Sequence, residues 1–169
     1  MEDPQLSNPR VKVLVPHLIE RKNSSQVLTM VTAYDSTFAS IVDEAGVDLI
    51  LVGDSVATVM QGQKTTLCVS MEHMEYHIQM VAAVKPTALI VGDLPFGSYQ
   101  ASAKDAVRNA VRLIKAGAEI VKLEGGVHVQ EAIEAIVRAD IPVMGHIGLT
   151  PQSYHRMGGN KVQGRDEGT

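Results

Sequence analysis

Leu49-Ile50-Leu51-Val52-Gly53-Asp54-Ser55 is a run of four apolar residues that ends in glycine, a carboxylate and a hydroxyl. Four to eight apolar residues without alternation, closed by a turn signal, read as a strand buried on both faces. The same pattern returns at Ala88–Val91, followed by Gly92-Asp93, and at Ile120–Leu123, followed by Glu124. Val27–Thr32 reads as an earlier strand. Ile141–Met144 reads as a later one, with Pro142 confined to its first residues because proline lacks an amide donor.

Helical patterns lie between these strands. Thr37–Ala45 closes at Gly46, Met71–Val84 follows Ser70 and stops before Pro86, and a helix from Ser102 or Ala103 to Ala116 closes at Gly117. Val129–Ala139 completes the set, and Pro16–Arg21 reads as a short helix in an N-terminal extension over residues 1–25. Strand and helix alternate, which predicts an α/β fold with a parallel sheet, one domain over residues 1–169. The tail after Leu149 reads as loop.

Composition narrows the function. The chain has 169 residues, of which 45% are hydrophobic, too many for a disordered segment. Lys and Arg total 15 against 19 Asp and Glu, with 4% aromatic residues, so nothing favours phosphate neutralisation or base stacking and no nucleic-acid partner is expected. No apolar run approaches the roughly 20 residues of a membrane helix, so no membrane partner is expected either. The start, Met1-Glu2-Asp3-Pro4, carries acid where a signal peptide carries base, and a cytoplasmic location is expected. Cys68 is the single cysteine, which excludes an internal disulfide or a multi-thiol metal site.

The polar residues cluster by position. Asp54 and Ser55 follow the second strand, Asp93 the third, Lys122 and Glu124 end the fourth, and His146 follows the fifth. Carboxyl ends of parallel strands are where such sheets place ligands. Asp54, Asp93 and Glu124 supply hard oxygen donors, which favour Mg²⁺ over soft metals. Lys122 lies two residues from Glu124, on the same strand face, and suits an anionic group. Ser55 can donate to a carboxylate. Together these suit metal-assisted polarisation of an α-keto acid. The competing reading makes Asp54 and Asp93 turn or cap residues and Glu124 a surface group. His73 and His77, four apart, lack a third ligand and read as an ordinary helix face, Met71, Met74 and Met80 as helix packing, and Cys68 as inert.

Longer strings carry a resemblance. TAYD (Thr32–Asp35), VGDS (Val52–Ser55), GDLPF (Gly92–Phe96), VKLEGG (Val121–Gly126), GHIGLTPQS (Gly145–Ser153) and KVQGR (Lys161–Arg165) occur in order. From about Thr29 to Arg165 the chain resembles the ketopantoate hydroxymethyltransferases. The resemblance implies a (β/α)₈ barrel of the phosphoenolpyruvate/pyruvate type, here represented by about five β/α units, since a whole barrel takes roughly 250 residues. It implies transfer of a hydroxymethyl group from 5,10-methylenetetrahydrofolate, the folate donor, to 3-methyl-2-oxobutanoate, in pantothenate biosynthesis, by a homodecamer. It matches Asp54, Asp93 and Glu124 to Mg²⁺ ligands, and Asp54, Ser55, Asp93, Lys122 and His146 to substrate contacts. The family's general base, a glutamate, matches nothing up to Thr169, so no catalytic base is assigned.

The chain departs from the family pattern at Ala57, where glycine is usual, at Gln63, where histidine is usual, and at Asn160, often aromatic. Two other readings stand beside the transferase. One is a Mg²⁺-dependent carbon–carbon lyase of the isocitrate lyase/phosphoenolpyruvate mutase type, and the other is a non-catalytic fragment. Five strands cannot close a barrel, so an aggregation-prone half-barrel is expected of the chain alone.

Overall fold

Leu49–Val52 is the second strand of one parallel sheet. The computed structural model describes residues 10–22 and 24–165; the start read against a signal peptide, Met1–Pro4, lies outside them. Strands β1 (Met30–Thr32), β2 (Leu49–Val52), β3 (Leu89–Asp93), β4 (Ile120–Glu124) and β5 (Val143–His146) are neighbours in chain order. Helices α1 (Val15–Arg21), α2 (Ser36–Glu44), α3 (Val56–Val59), α4 (Met71–Ala82), α5 (Ala103–Ala116), α6 (Gln130–Arg138) and α7 (Tyr154–Met157) alternate with them. Short 3-10 turns cover Val127–Val129 and Pro151–Ser153.

Side chains alternate across a strand, and here both faces are apolar. Ile50, Val52, Ile90, Val121 and Leu123 bury against Met74 and Ile78 of α4, Leu113 of α5 and Ile136 of α6. Leu49, Leu89, Val91 and Ile120 face the other way and form a second cluster with Val13, against which Val15 and Leu18 of α1 pack. Burial on both sides removes the period-2 signal, as the runs predict. The register continues the second face upward: Asp93 pairs with Lys122, and Glu124 with His146. These polar residues share strand parity with Leu89, Val91, Ile120 and Met144. The inner face is therefore apolar at its amino end and charged at its carboxyl end.

A strap closes the amino end. The Lys12 ammonium donates to the Ala88 carbonyl at 2.8 Å and pairs with Glu119 at 2.6 Å, just before β3 and β4. Arg21, the last residue of α1, pairs with Asp48 at 2.6 Å ahead of β2.

Several boundaries differ from expectation. β1 begins at Met30, because the Thr29 amide donates to the Asp48 carboxylate at 2.9 Å instead of joining the ladder. β5 begins at Val143, because the Ile141 amide turns back to the Ile136 carbonyl of α6 and Pro142 has no donor. β3 and β4 run on to Asp93 and Glu124, so these carboxylates end their strands. The tail after Leu149 is not all loop: Pro151 opens a 3-10 turn that continues into α7. Pre-set proline φ suits that first position. α1 and α2 each begin one residue ahead of expectation, and α4 ends two residues earlier than Val84.

Candidate active site

The carboxyl end of β2 comes close to that of β3 because residue 53 has no side chain. A Cβ on Gly53 would lie 2.9 Å from Ser55 Oγ and 3.4 Å from Asp93 Oδ2. With hydrogen there instead, the Asp54 amide donates to Asp93 Oδ2 at 3.2 Å. Asp93 is 2% exposed, and across the register its Oδ1 lies 2.5 Å from Lys122 Nζ. That contact is a buried, charge-assisted ion pair. Burial pushes the Asp93 carboxyl up to about 7 against the attraction of Lys122, and the neighbouring Asp54 charge adds to the rise.

Glu124 is buried, and both its oxygens are engaged. Oε1 meets His146 Nδ1 at 3.0 Å, and Oε2 accepts the Gln152 amide at 2.9 Å. Ser55 Oγ lies 2.7 Å from the Tyr34 hydroxyl, and His77 Nδ1 lies 2.7 Å from the Tyr34 carbonyl. A cavity of about 330 Å³ opens at this end of the sheet. Asp54, Ser55, Asp93, Lys122, Glu124 and His146 all line it, over an apolar floor of Met30, Leu51 and Met144. Every site residue singled out in the sequence thus reaches one cavity. The expected meeting of three carboxylates is a shared lining rather than a cage: among the described residues no three His, Cys, Asp or Glu side chains gather closely enough to hold a metal alone.

That donor set fits a hard cation of the Mg²⁺ kind, which takes one or two carboxylates and draws the rest from water or substrate. Three buried carboxylates, Asp54, Asp93 and Glu124, lining one cavity are the observation that favours it. His73 and His77 are otherwise occupied. His73 Nδ1 accepts the Ser70 amide at 3.3 Å in a capping box, and His77 anchors Tyr34. Met71 and Met74 are buried in α4, and Cys68 is exposed. Gln152 and Tyr34 carry no separate signal beyond the strings that contain them.

The profile described as ketopantoate hydroxymethyltransferase matches residues 12–169. The chain belongs to that family. It is 53% identical over 156 residues to the 3-methyl-2-oxobutanoate hydroxymethyltransferase of Ignicoccus hospitalis, covering 92% of this chain and 59% of that one. It is 55% identical over 147 residues to the enzyme of the same name from Geobacter metallireducens, covering 86% and 55%. The chain thus spans between half and two thirds of the length of these ketopantoate hydroxymethyltransferase relatives. Solved structures agree on the fold. A phosphonopyruvate hydrolase complexed with oxalate and Mg²⁺ matches with TM-score 0.63 at 17% identity, over 77% of this chain and 50% of that one. A 2,3-dimethylmalate lyase of the phosphoenolpyruvate mutase/isocitrate lyase superfamily matches with TM-score 0.57 at 17% identity, over 77% and 51%. The five-stranded sheet of this family member therefore shares the fold of these structures over about five β/α units.

Proposed function

We propose that this chain supplies the cation- and keto-acid-binding part of a 3-methyl-2-oxobutanoate hydroxymethyltransferase. One observation carries the reading: side chains from four consecutive strand ends, Asp54 and Ser55, Asp93, Lys122 and Glu124, and His146, line a single 330 Å³ cavity in a member of that family. Asp54 and Asp93, with Glu124 directly or through water, would hold Mg²⁺. Bound there, the cation would polarise the 2-oxo group of 3-methyl-2-oxobutanoate and so acidify its C3 proton.

The chain's own residues do the rest of the binding. Lys122 offsets the charge of Asp93 and attracts the substrate carboxylate. Ser55, held by Tyr34, turns its hydroxyl to the same anion. His146, held by Glu124, lines the far wall. No described side chain is assigned the C3 proton, and 5,10-methylenetetrahydrofolate is the proposed donor of the one-carbon unit. A cytoplasmic homo-oligomer is part of the same proposal.

Binding of 3-methyl-2-oxobutanoate to the chain, titrated with and without Mg²⁺, tests the reading. Binding should require the cation and weaken at least tenfold in Asp93→Ala. Equal binding by that variant overturns the site. The superfamily likeness favours a second reading, carbon–carbon bond cleavage in a 2-oxo acid. Turnover of such an acid without any folate would select it.

A further inference from the structure

Gln152 sits in the 3-10 turn after β5, is buried, and joins three strand ends. Its Nε2 donates to Asp54 Oδ2 at 2.9 Å and to the Leu94 carbonyl at 3.0 Å. Its Oε1 accepts from the Tyr99 hydroxyl at 2.7 Å and from Gln100 Nε2 at 3.2 Å. Its backbone amide donates to Glu124 Oε2 at 2.9 Å. A glutamine amide has two protons and two lone pairs, and all four are used here. The partners also fix which end is which. A flipped amide would set its oxygen against the Asp54 carboxylate and the Leu94 carbonyl, acceptor against acceptor. Burial pushes the Tyr99 phenol further above its ordinary value, so it remains a donor to Oε1.

We propose that Gln152 is a positioning residue, which orients the Asp54 carboxylate through its side chain and the Glu124 carboxylate through its backbone for the cation proposed above. A neutral amide suits that task. It directs one oxygen of Asp54 without cancelling the charge that a cation needs, whereas the ammonium of Lys122 does cancel charge at Asp93. A residue that only filled space would not direct its strongest donor at one carboxylate while its main-chain amide holds another. The inference rests on the cavity being a cation site, and the experiment separates the two.

The measurement is Mn²⁺ affinity of the full 169-residue chain, read from the free-ion signal in electron paramagnetic resonance, beside a thermal melt of each variant. Partners that orient metal ligands are typically worth 10- to 100-fold in affinity. Gln152→Met, which keeps the length and removes the hydrogen bonds, should bind Mn²⁺ at least tenfold more weakly while still melting cooperatively. Tyr99→Phe, which takes one hydrogen bond from the Gln152 amide and the partner of the Glu124 backbone amide while preserving the packing, should lose about threefold and keeps the test alive if the first variant fails to fold. Wild-type affinity in a folded Gln152→Met, or in Tyr99→Phe should the first not fold, overturns the role of Gln152, provided that Asp93→Asn has lost the ion. No Mn²⁺ binding by the wild-type chain, or undiminished binding in Asp93→Asn, overturns the cation site and this inference with it.

Discussion

Asp43 holds the amino end of β3 by accepting the amides of Thr87 and Ala88 at 3.0 and 2.8 Å and the Thr87 hydroxyl at 2.9 Å. Burial alone would raise its carboxyl, but these hydrogen bonds, with Arg10 beside it, outweigh burial and hold it below the ordinary aspartate range. Asp48 is lowered the same way: burial opposes, while the Thr29 amide, Arg21 and the Thr29 hydroxyl prevail. A carboxyl with a lowered folded-state value contributes its stability in full above the unfolded value, about 3.9, and loses it as pH falls through the folded value. The share that Asp43 and Asp48 contribute should therefore be flat from pH 7 to about 5 and be lost below about 4, while Asp93, raised to about 7, stabilises the fold as pH falls from 7 towards 4. Asp43→Ala should destabilise the fold at pH 7 by about 1–3 kcal/mol for donors left unpaired, read as a lower urea midpoint, and shallow the acid drop. An unchanged acid drop in that variant would remove Asp43 as its cause. At this scale the sequence was legible where chemistry repeats at strand ends, which singled out Asp54, Asp93, Lys122 and Glu124. Asp43, Tyr34 and Gln152 were not, because each acts on residues far along the chain, 98 positions away for Gln152 and Asp54.

Gly117 ends α5 in the left-handed region at φ +119°, where a Cβ would also lie 2.4 Å from the Cβ of Ala82 in α4. Helix end and helix packing thus demand the same absence of a side chain. Gly117→Ala should cost about 1–3 kcal/mol through strain and overpacking together, read as a lower urea midpoint. Stability within 0.5 kcal/mol or so of wild type would show that α4 yields without cost. Glycine punctuation made this boundary legible from sequence, as did Ser102, which accepts the Asp105 amide at 3.1 Å at the other end. The central strands were equally legible, since continuous apolar runs have few alternatives. Edges were less so. β1 and β5 have one strand neighbour each among the described residues, and side chains such as Asp48 or a proline decide where pairing begins. α3 and α7, each four residues long, are too short to show a period.

Among the described residues the sheet stays open at β1 and β5, and its inner face is only partly covered. Met30, on that face of β1, is 44% exposed, and an apolar cavity of about 550 Å³ lies between α1 and the start of β5, lined by Leu18, Ile19, Ile141 and Met144. Unpaired strand edges template pairing with other chains, and a large exposed apolar surface favours association. The relatives are longer by the share this chain does not span, 41% of the Ignicoccus hospitalis enzyme, the remainder of the 59% matched. The 169-residue chain by itself should therefore self-associate as its concentration rises, visible as a growing weight-average mass in sedimentation equilibrium. Adding the unmatched portion of that relative in trans should compete for the same edges, because the (β/α)₈ barrel that the family resemblance implies sets its remaining units beside β1 and β5. The mass should then settle at a one-to-one complex or its symmetric multiples, and Mg²⁺-dependent keto-acid binding should tighten as the cavity loses its open side. A chain that stays monomeric to about 100 µM, well into the range where exposed edges aggregate, would show that β1 and β5 are already protected. In that case the second half should neither bind it nor improve its affinity for the keto acid.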